Sequence, residues 1–229
     1  YSIKKEFEIL KEKEGKENSL KFLNSKLNKF KIKSSKVYFD LGNIYKGFKE
    51  YNKSIEYFNL ALEGISKESE SYADILYRRG GSYERMRDFE NADKDLLDSL
   101  LLDPEDAYVL NYLAYSWLER DYKIDEAIEM LETAYKIKSN DPYIIDSIGW
   151  AYYLISDYNK AENFLKRAVE LMPNDPIVND HYGDILWSLN QKIQARYFWK
   201  NVLKMDDVEQ DMIDKINSKL IYGPKNSKI

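Results

Sequence analysis

The sequence predicts an all-α fold in which helical hairpins stack into a solenoid and a C-terminal helix caps the stack. Three observations predict it. Small residues recur at a period near 34, large apolar residues sit at fixed helical offsets from them, and Asn-Asp-Pro turns repeat at the same period. A period of this length is the mark of a repeat architecture.

The small residues are Gly42, Gly80, Ala114, Gly149 and Gly183, at steps of 38, 34, 35 and 34. About twelve residues after each comes a second small residue: Ser54, Ala92, Ala127, Ala161 and Ala195. Seven further on are Ala61, Ser99, Ala134, Ala168 and Val202. Three residues after each first small position stands Tyr45, Tyr83, Trp117, Tyr152 or Leu186, and four after each second one stands Phe58, Leu96, Leu131, Leu165 or Trp199. Offsets of three, four and seven are those of one helix face. Each unit therefore reads as two antiparallel helices that cross closely at the small residue, with the large ones filling the space around the crossing. One hairpin cannot bury its own apolar face, so its neighbours must cover it. Asn140-Asp141-Pro142 and Asn174-Asp175-Pro176 supply an Asp cap and a Pro at the first helical position.

This pattern resembles the tetratricopeptide repeat family, with its W-x2-L-G-x2-Y, A-x3-F and P landmarks. The best copy is Ile145-x2-Ile148-Gly149-x2-Tyr152, then Tyr158, Ala161, Leu165, Ala168 and Pro173. The resemblance implies a right-handed stack. Five repeats are expected at about 35–70, 73–106, 107–141, 142–175 and 176–207. Residues 1–34 read as a degenerate hairpin, with Phe7 and Leu10 on one helix and Leu20, Leu23 and Leu27 on the next. Residues 208–221 read as the capping helix, with Met212, Ile213, Ile216 and Leu220 on one side, and 222–229 as a tail. Departures are local. Gly64–Ser71 is an insertion, repeat three has one extra residue before Ala127, Arg79 holds a usually apolar position, and repeat five has Asn179 and Lys192 where apolar residues are expected.

Composition agrees. The 229 residues are 44% hydrophobic and 33% charged, with five prolines and nine glycines, which suits long helices. The net charge is −5, unevenly spread. Residues 1–36 hold eleven Lys against five Glu, and the acidic remainder disfavours nucleic acid as a partner. There is no cysteine, which removes disulfides and thiolate chemistry while leaving the compartment open. No stretch approaches the roughly 20 apolar residues of a membrane span. The chain begins at Tyr1 with neither Met nor signal peptide and reads as part of a longer protein.

Chemistry is sparse. His181 is the single histidine and reads as a core residue. No phosphate-binding loop, nucleophile elbow or zinc helix is present. Acidic runs such as Asp103-Pro104-Glu105-Asp106 fall at repeat turns and read as helix caps. No catalytic residue, metal site or cofactor is expected, and the chain is not expected to be an enzyme.

In this family the first helix of each repeat lines the concave face. The resemblance implies a ligand groove formed by Tyr77, Tyr108, Asn111, Tyr115, Tyr143, Asp146, Trp150, Tyr153, Asp180, Asp184 and Trp187. This set is aromatic and acidic. The Lys/Asn/Arg clamp by which chaperone-binding members hold a terminal carboxylate is not matched, because Phe39, Asp146 and Asp180 stand where cations would be useful. The expected partner is a protein or peptide with a neutral or basic segment, held by aromatic anchors. The remaining readings are a structural or self-assembling module, or the accessory region of a larger enzyme. The runs 111–116, 146–152 and 181–187 also resemble bacterial repeat proteins that include outer-membrane lipoproteins. That resemblance implies an adaptor in the periplasm or at the outer membrane, with a periplasmic processing protease as partner.

Overall fold

The computed structural model describes residues 11, 12, 15, 18–23, 25, 26 and 34–224. Among these, every regular element is a helix and no strand occurs. The chain divides into two compact units, Tyr1–Pro104 and Glu105–Ile229.

The first unit contains α1 (Ser35–Gly47), α2 (Tyr51–Glu63), α3 (Glu70–Arg85) and α4 (Phe89–Leu102). α1 packs on α2 and α3 on α4, and α3 also touches α1 and α2. Ahead of α1, residues 18–23 are helical, and Leu23 is buried against Leu41 with Leu20 beside it. Phe7, Leu10 and Leu27, expected in the same hairpin, lie outside the described residues.

The second unit contains α5 (Ala107–Glu119), α6 (Ile124–Ile137), α7 (Pro142–Leu154), α8 (Tyr158–Leu171), α9 (Pro176–Ser188), α10 (Lys192–Val202) and α11 (Gln210–Tyr222). Consecutive helices pack on one another, and α7 also touches α5 and α9, so the first helices of these hairpins lie side by side.

The small-residue rule explains both cores. Phe58, Leu96, Leu131, Leu165 and Trp199 are all fully buried, and burying such side chains is worth roughly 1.5–3 kcal/mol each. Phe58, Leu96, Leu165 and Trp199 sit in the space that a facing glycine's missing side chain leaves. A Cβ at Gly42 would fall 2.5 Å from the Phe58 ring and one at Gly149 2.8 Å from Leu165, while Gly183 lies directly under the Trp199 indole.

The turns follow the same period. Asp106, Asp141 and Asp175 cap α5, α7 and α9, each accepting two backbone N–H bonds. Pro142 and Pro176 take the first helical positions. Each first helix ends at a left-handed residue, namely Lys49, Arg87, Asp121, Ser156 or Asn190. The next N–H then turns back to the carbonyl of Tyr45, Tyr83, Trp117, Tyr152 or Leu186, satisfying an orphan helix-end acceptor. The extra residue of repeat three is absorbed by a second left-handed residue, Lys123.

The irregular positions have local partners. Arg79 makes a two-pronged ion pair with buried Asp95, both bonds 2.7 Å, and a third bond to Asn59. Asn179 is buried, and its Nδ2 donates to the carbonyls of Pro173 and Asp175. No described helix is long and apolar enough to cross a membrane.

Candidate functional site

The face made by α5, α7 and α9 carries ten of the eleven residues expected in the groove. Tyr77 belongs to α3 of the first unit, where it is half-buried with the Arg78 guanidinium 5.6 Å from its ring centre. Helix periodicity explains the clustering, because positions 2, 5, 9 and 12 of a helix share one side. The face holds two clefts.

The larger cleft, about 430 Å³, lies between α7, α9 and α11. Its aromatic wall is Trp150 and Tyr153, stacked at 4.9 Å and 17°. Trp150 also stacks on His181 at 4.1 Å and 11°, and its Nε1 donates to Glu119 at 3.1 Å. The indole is thus held by two stacked rings and at its nitrogen, and is buried at 8% exposure. Burial, and then the Asp184 charge, push the Tyr153 phenol above its ordinary value, so it stays protonated. The opposite wall is α11, through Lys215, Ser218 and Lys219, followed by Gly223 and Pro224.

The smaller cleft, about 150 Å³, lies between α5, α7 and α9. Tyr115, Tyr143, Asn111 and Asp146 line it together with Tyr112 and Ile177. Tyr143 and Ile177 are exposed, 59% and 46% respectively, as is Tyr108 at the start of α5. Lys138 stands over the Tyr108 ring at 4.9 Å.

The three aspartates differ from their expected role. They were expected to face a ligand; all three are buried, Asp180 and Asp184 are engaged by the chain's own lysines, and Asp146 is engaged through one of its two oxygens. Asp146 Oδ2 pairs with His181 Nδ1 at 2.9 Å. Burial opposes a charge on His181, yet the Asp146 carboxylate, its hydrogen bond, Asp180 and Glu119 outweigh burial and raise the imidazole's pKa. Asp180 and Asp184 receive the ammonium of Lys219, at 2.5 and 2.7 Å, and Lys215 reaches Asp180 at 3.2 Å. The basic segment that these two acids accept is the chain's own last helix. Burial and the Asp180 charge push Asp184 up, whereas Lys219 and Lys215 overcome burial and hold Asp180 below the usual carboxylate range. Trp187 is also covered: Gly223 lies against its indole, and Arg196 and Lys192 stand over the ring at 4.7 and 5.1 Å.

Sequence reasoning therefore missed Lys215, Lys219 and Pro224. The available signal was the four-residue spacing of the two lysines, which puts both on one side of α11. Tyr112 and Glu119 were also missed. Among the described residues no group of three metal-ligating side chains comes together.

A profile of the tetratricopeptide repeat matches residues 35–63, 73–106 and 144–175. Over 108 residues, 47% of its length, the chain is 33% identical to a tetratricopeptide repeat-containing protein of Pseudomonas aeruginosa, and it spans 18% of that protein's length. Three solved structures are similar at 18% identity. One is the PilF protein of Pseudomonas aeruginosa, with TM-score 0.64, covering 83% of this chain and 93% of that one. Another is a thermophilic repeat protein of Thermus thermophilus, with TM-score 0.67, covering 82% and 99%. The third is PilW, described as a widely conserved type IV pilus biogenesis factor, with TM-score 0.68, covering 82% and 86%. At such identity these likenesses bear on the fold.

Proposed function

We propose that this chain, which carries tetratricopeptide repeats, is a scaffold for protein–protein interaction whose second unit captures a polypeptide segment along α5, α7 and α9. The observation that carries this reading is the pair of clefts on one face, one with Tyr153 fixed by stacking on buried Trp150, the other with the exposed ring of Tyr143 at its rim. Rings held by stacking lose little freedom on binding, so more of their contact energy appears as affinity. Tyr143 and Tyr153 are the anchors, Ile177 adds apolar contact, and Asn111 offers an amide to the ligand backbone. Such a role needs no catalytic group.

Peptides selected on the protein from a random displayed library test it. Tyr143→Ala and Tyr153→Ala should each cost about 2 kcal/mol or more of binding. Tyr197→Ala, at an exposed ring on α10 away from both clefts, should leave affinity unchanged. Unchanged affinity in both cleft variants, with helicity intact by circular dichroism, rejects the groove.

We further propose that the protein works as an adaptor in a bacterial envelope, with a periplasmic processing protease as partner. Support comes from the resemblance of its later repeats to envelope repeat proteins, and from a fold shared with a type IV pilus biogenesis factor. Cell fractionation of the full-length protein should recover it with the envelope; recovery in the cytoplasm would reject the placement.

A further inference from the structure

We propose that the smaller cleft is a subsite for a cationic side chain of the bound segment, an arginine or lysine head group. This rests on the groove reading above and deepens it. Two buried acceptor atoms in the cleft's residues have no partner in the protein, Oδ1 of Asn111 and Oδ1 of Asp146. Asp146 is only 5% exposed. A buried acceptor without a donor is unfavourable, so these atoms favour a ligand that brings N–H groups. Asp175 adds a second carboxylate to the lining, and neither Lys nor Arg is part of it. His181 engages the other oxygen of Asp146 and stands outside the lining.

The chemistry narrows the ligand. An anion would meet the carboxylates, and an apolar side chain would leave both acceptors empty. A guanidinium or ammonium satisfies them, and the rings of Tyr112, Tyr115 and Tyr143 add attraction for a cation. Arginine fits best, since its planar fork presents several donors at once. A cleft of about 150 Å³ admits such a head group and excludes a folded element.

The test uses two blocked pentapeptides, one with a central arginine flanked by alanines, the other with citrulline in its place. Citrulline keeps the shape and loses the charge. In nuclear magnetic resonance titrations, the arginine peptide should shift the amides of Asn111, Ser147 and Val178 saturably. The citrulline peptide should bind about tenfold more weakly, as expected when a charged donor is lost from a buried acceptor. Asp146→Asn keeps an acceptor toward His181 and should weaken the arginine peptide to a similar degree. The exposed variant Tyr143→Ala, which leaves the core alone, should weaken it too. Equal binding of the two peptides, no saturable shift, or shifts elsewhere would overturn the subsite and leave the cleft to water only. If selected peptides bind at the groove yet carry no Arg or Lys, the subsite fails while the groove stands.

Discussion

Lys219 Nζ lies 2.7 Å from the Asp184 carboxylate, and the three charged side chains of this knot, Lys219, Asp180 and Asp184, are each no more than 6% exposed. The last helix is thereby fastened to α9 by charge as well as by Ile216, which is fully buried. Removing the cation leaves buried Asp184 without its ammonium, and Asp180 with Lys215 alone. Lys219→Met should cost about 3–5 kcal/mol, the usual penalty for breaking a buried pair on one side. Urea unfolding measures the loss, and hydrogen exchange should show α11 amides opening first. The triple variant Asp180→Asn, Asp184→Asn, Lys219→Met should recover much of the loss. A single variant as stable as the parent would mean that the knot holds nothing.

The contrast between this knot and the hairpin crossings separates what was legible from what was not. The crossings depend on local spacing: Gly149 and Leu165 lie 16 residues apart in one hairpin, and a repeat announces the pair several times over. The groove positions follow from the same periodicity, so Tyr143, Trp150 and Tyr153 appear on one face as expected. Periodicity assigns a face without saying what covers it. Asp180 and Lys219 are 39 residues apart and occur once, so no repetition points to their pairing. A buried lysine also runs against the ordinary preference of that residue for solvent. The pairing of Asp146 with His181 was hidden for the same reason, since it joins different hairpins in a single instance.

The glycine crossings give a sharper test of packing. Gly183→Ala places a methyl group against the buried Trp199 indole, which is also tied by Nε1 to Asp184 at 3.2 Å. Overpacking of this kind costs about 1–3 kcal/mol. Helix propensity returns at most about 1 kcal/mol. Thermal unfolding should therefore show net destabilisation. Gly47→Ala, with nothing within 4 Å of the added carbon, should be neutral or slightly stabilising. A Gly183→Ala protein that melts at the parent temperature would show that the crossing has slack.

His181 makes stability depend on pH. Its folded-state pKa is raised above the ordinary 6.5, because Asp146, with Asp180 and Glu119 behind it, outweighs the burial that opposes protonation. A raised value means that the folded state binds the proton more tightly than the unfolded chain. The contribution is complete below about pH 6.5 and fades as pH rises through the folded-state value. The stability advantage of the parent over His181→Gln should accordingly shrink as pH rises above about 6.5. A histidine resonance titrating below its ordinary value would contradict the assignment, as would an advantage that grows with pH.

Arg79 and Asp95 test whether a charged pair can stand in for the apolar contact usual at this place in the repeat. Asp95 is 3% exposed, and burial pushes its carboxyl up even though Arg79 pulls it back. Arg79→Leu removes both bonds to that carboxylate and should cost about 3–5 kcal/mol, since the acid stays buried. The double variant Arg79→Leu, Asp95→Leu replaces the pair by apolar packing and should return to within about 1 kcal/mol of the parent, because buried pairs gain little over hydrophobic neighbours. Denaturant unfolding of both single variants and the double isolates the coupling. A double variant as unstable as Arg79→Leu alone would mean that the pair supports the α3–α4 crossing in a way that apolar bulk cannot, with the bond from Arg79 to Asn59 as the first candidate for the difference.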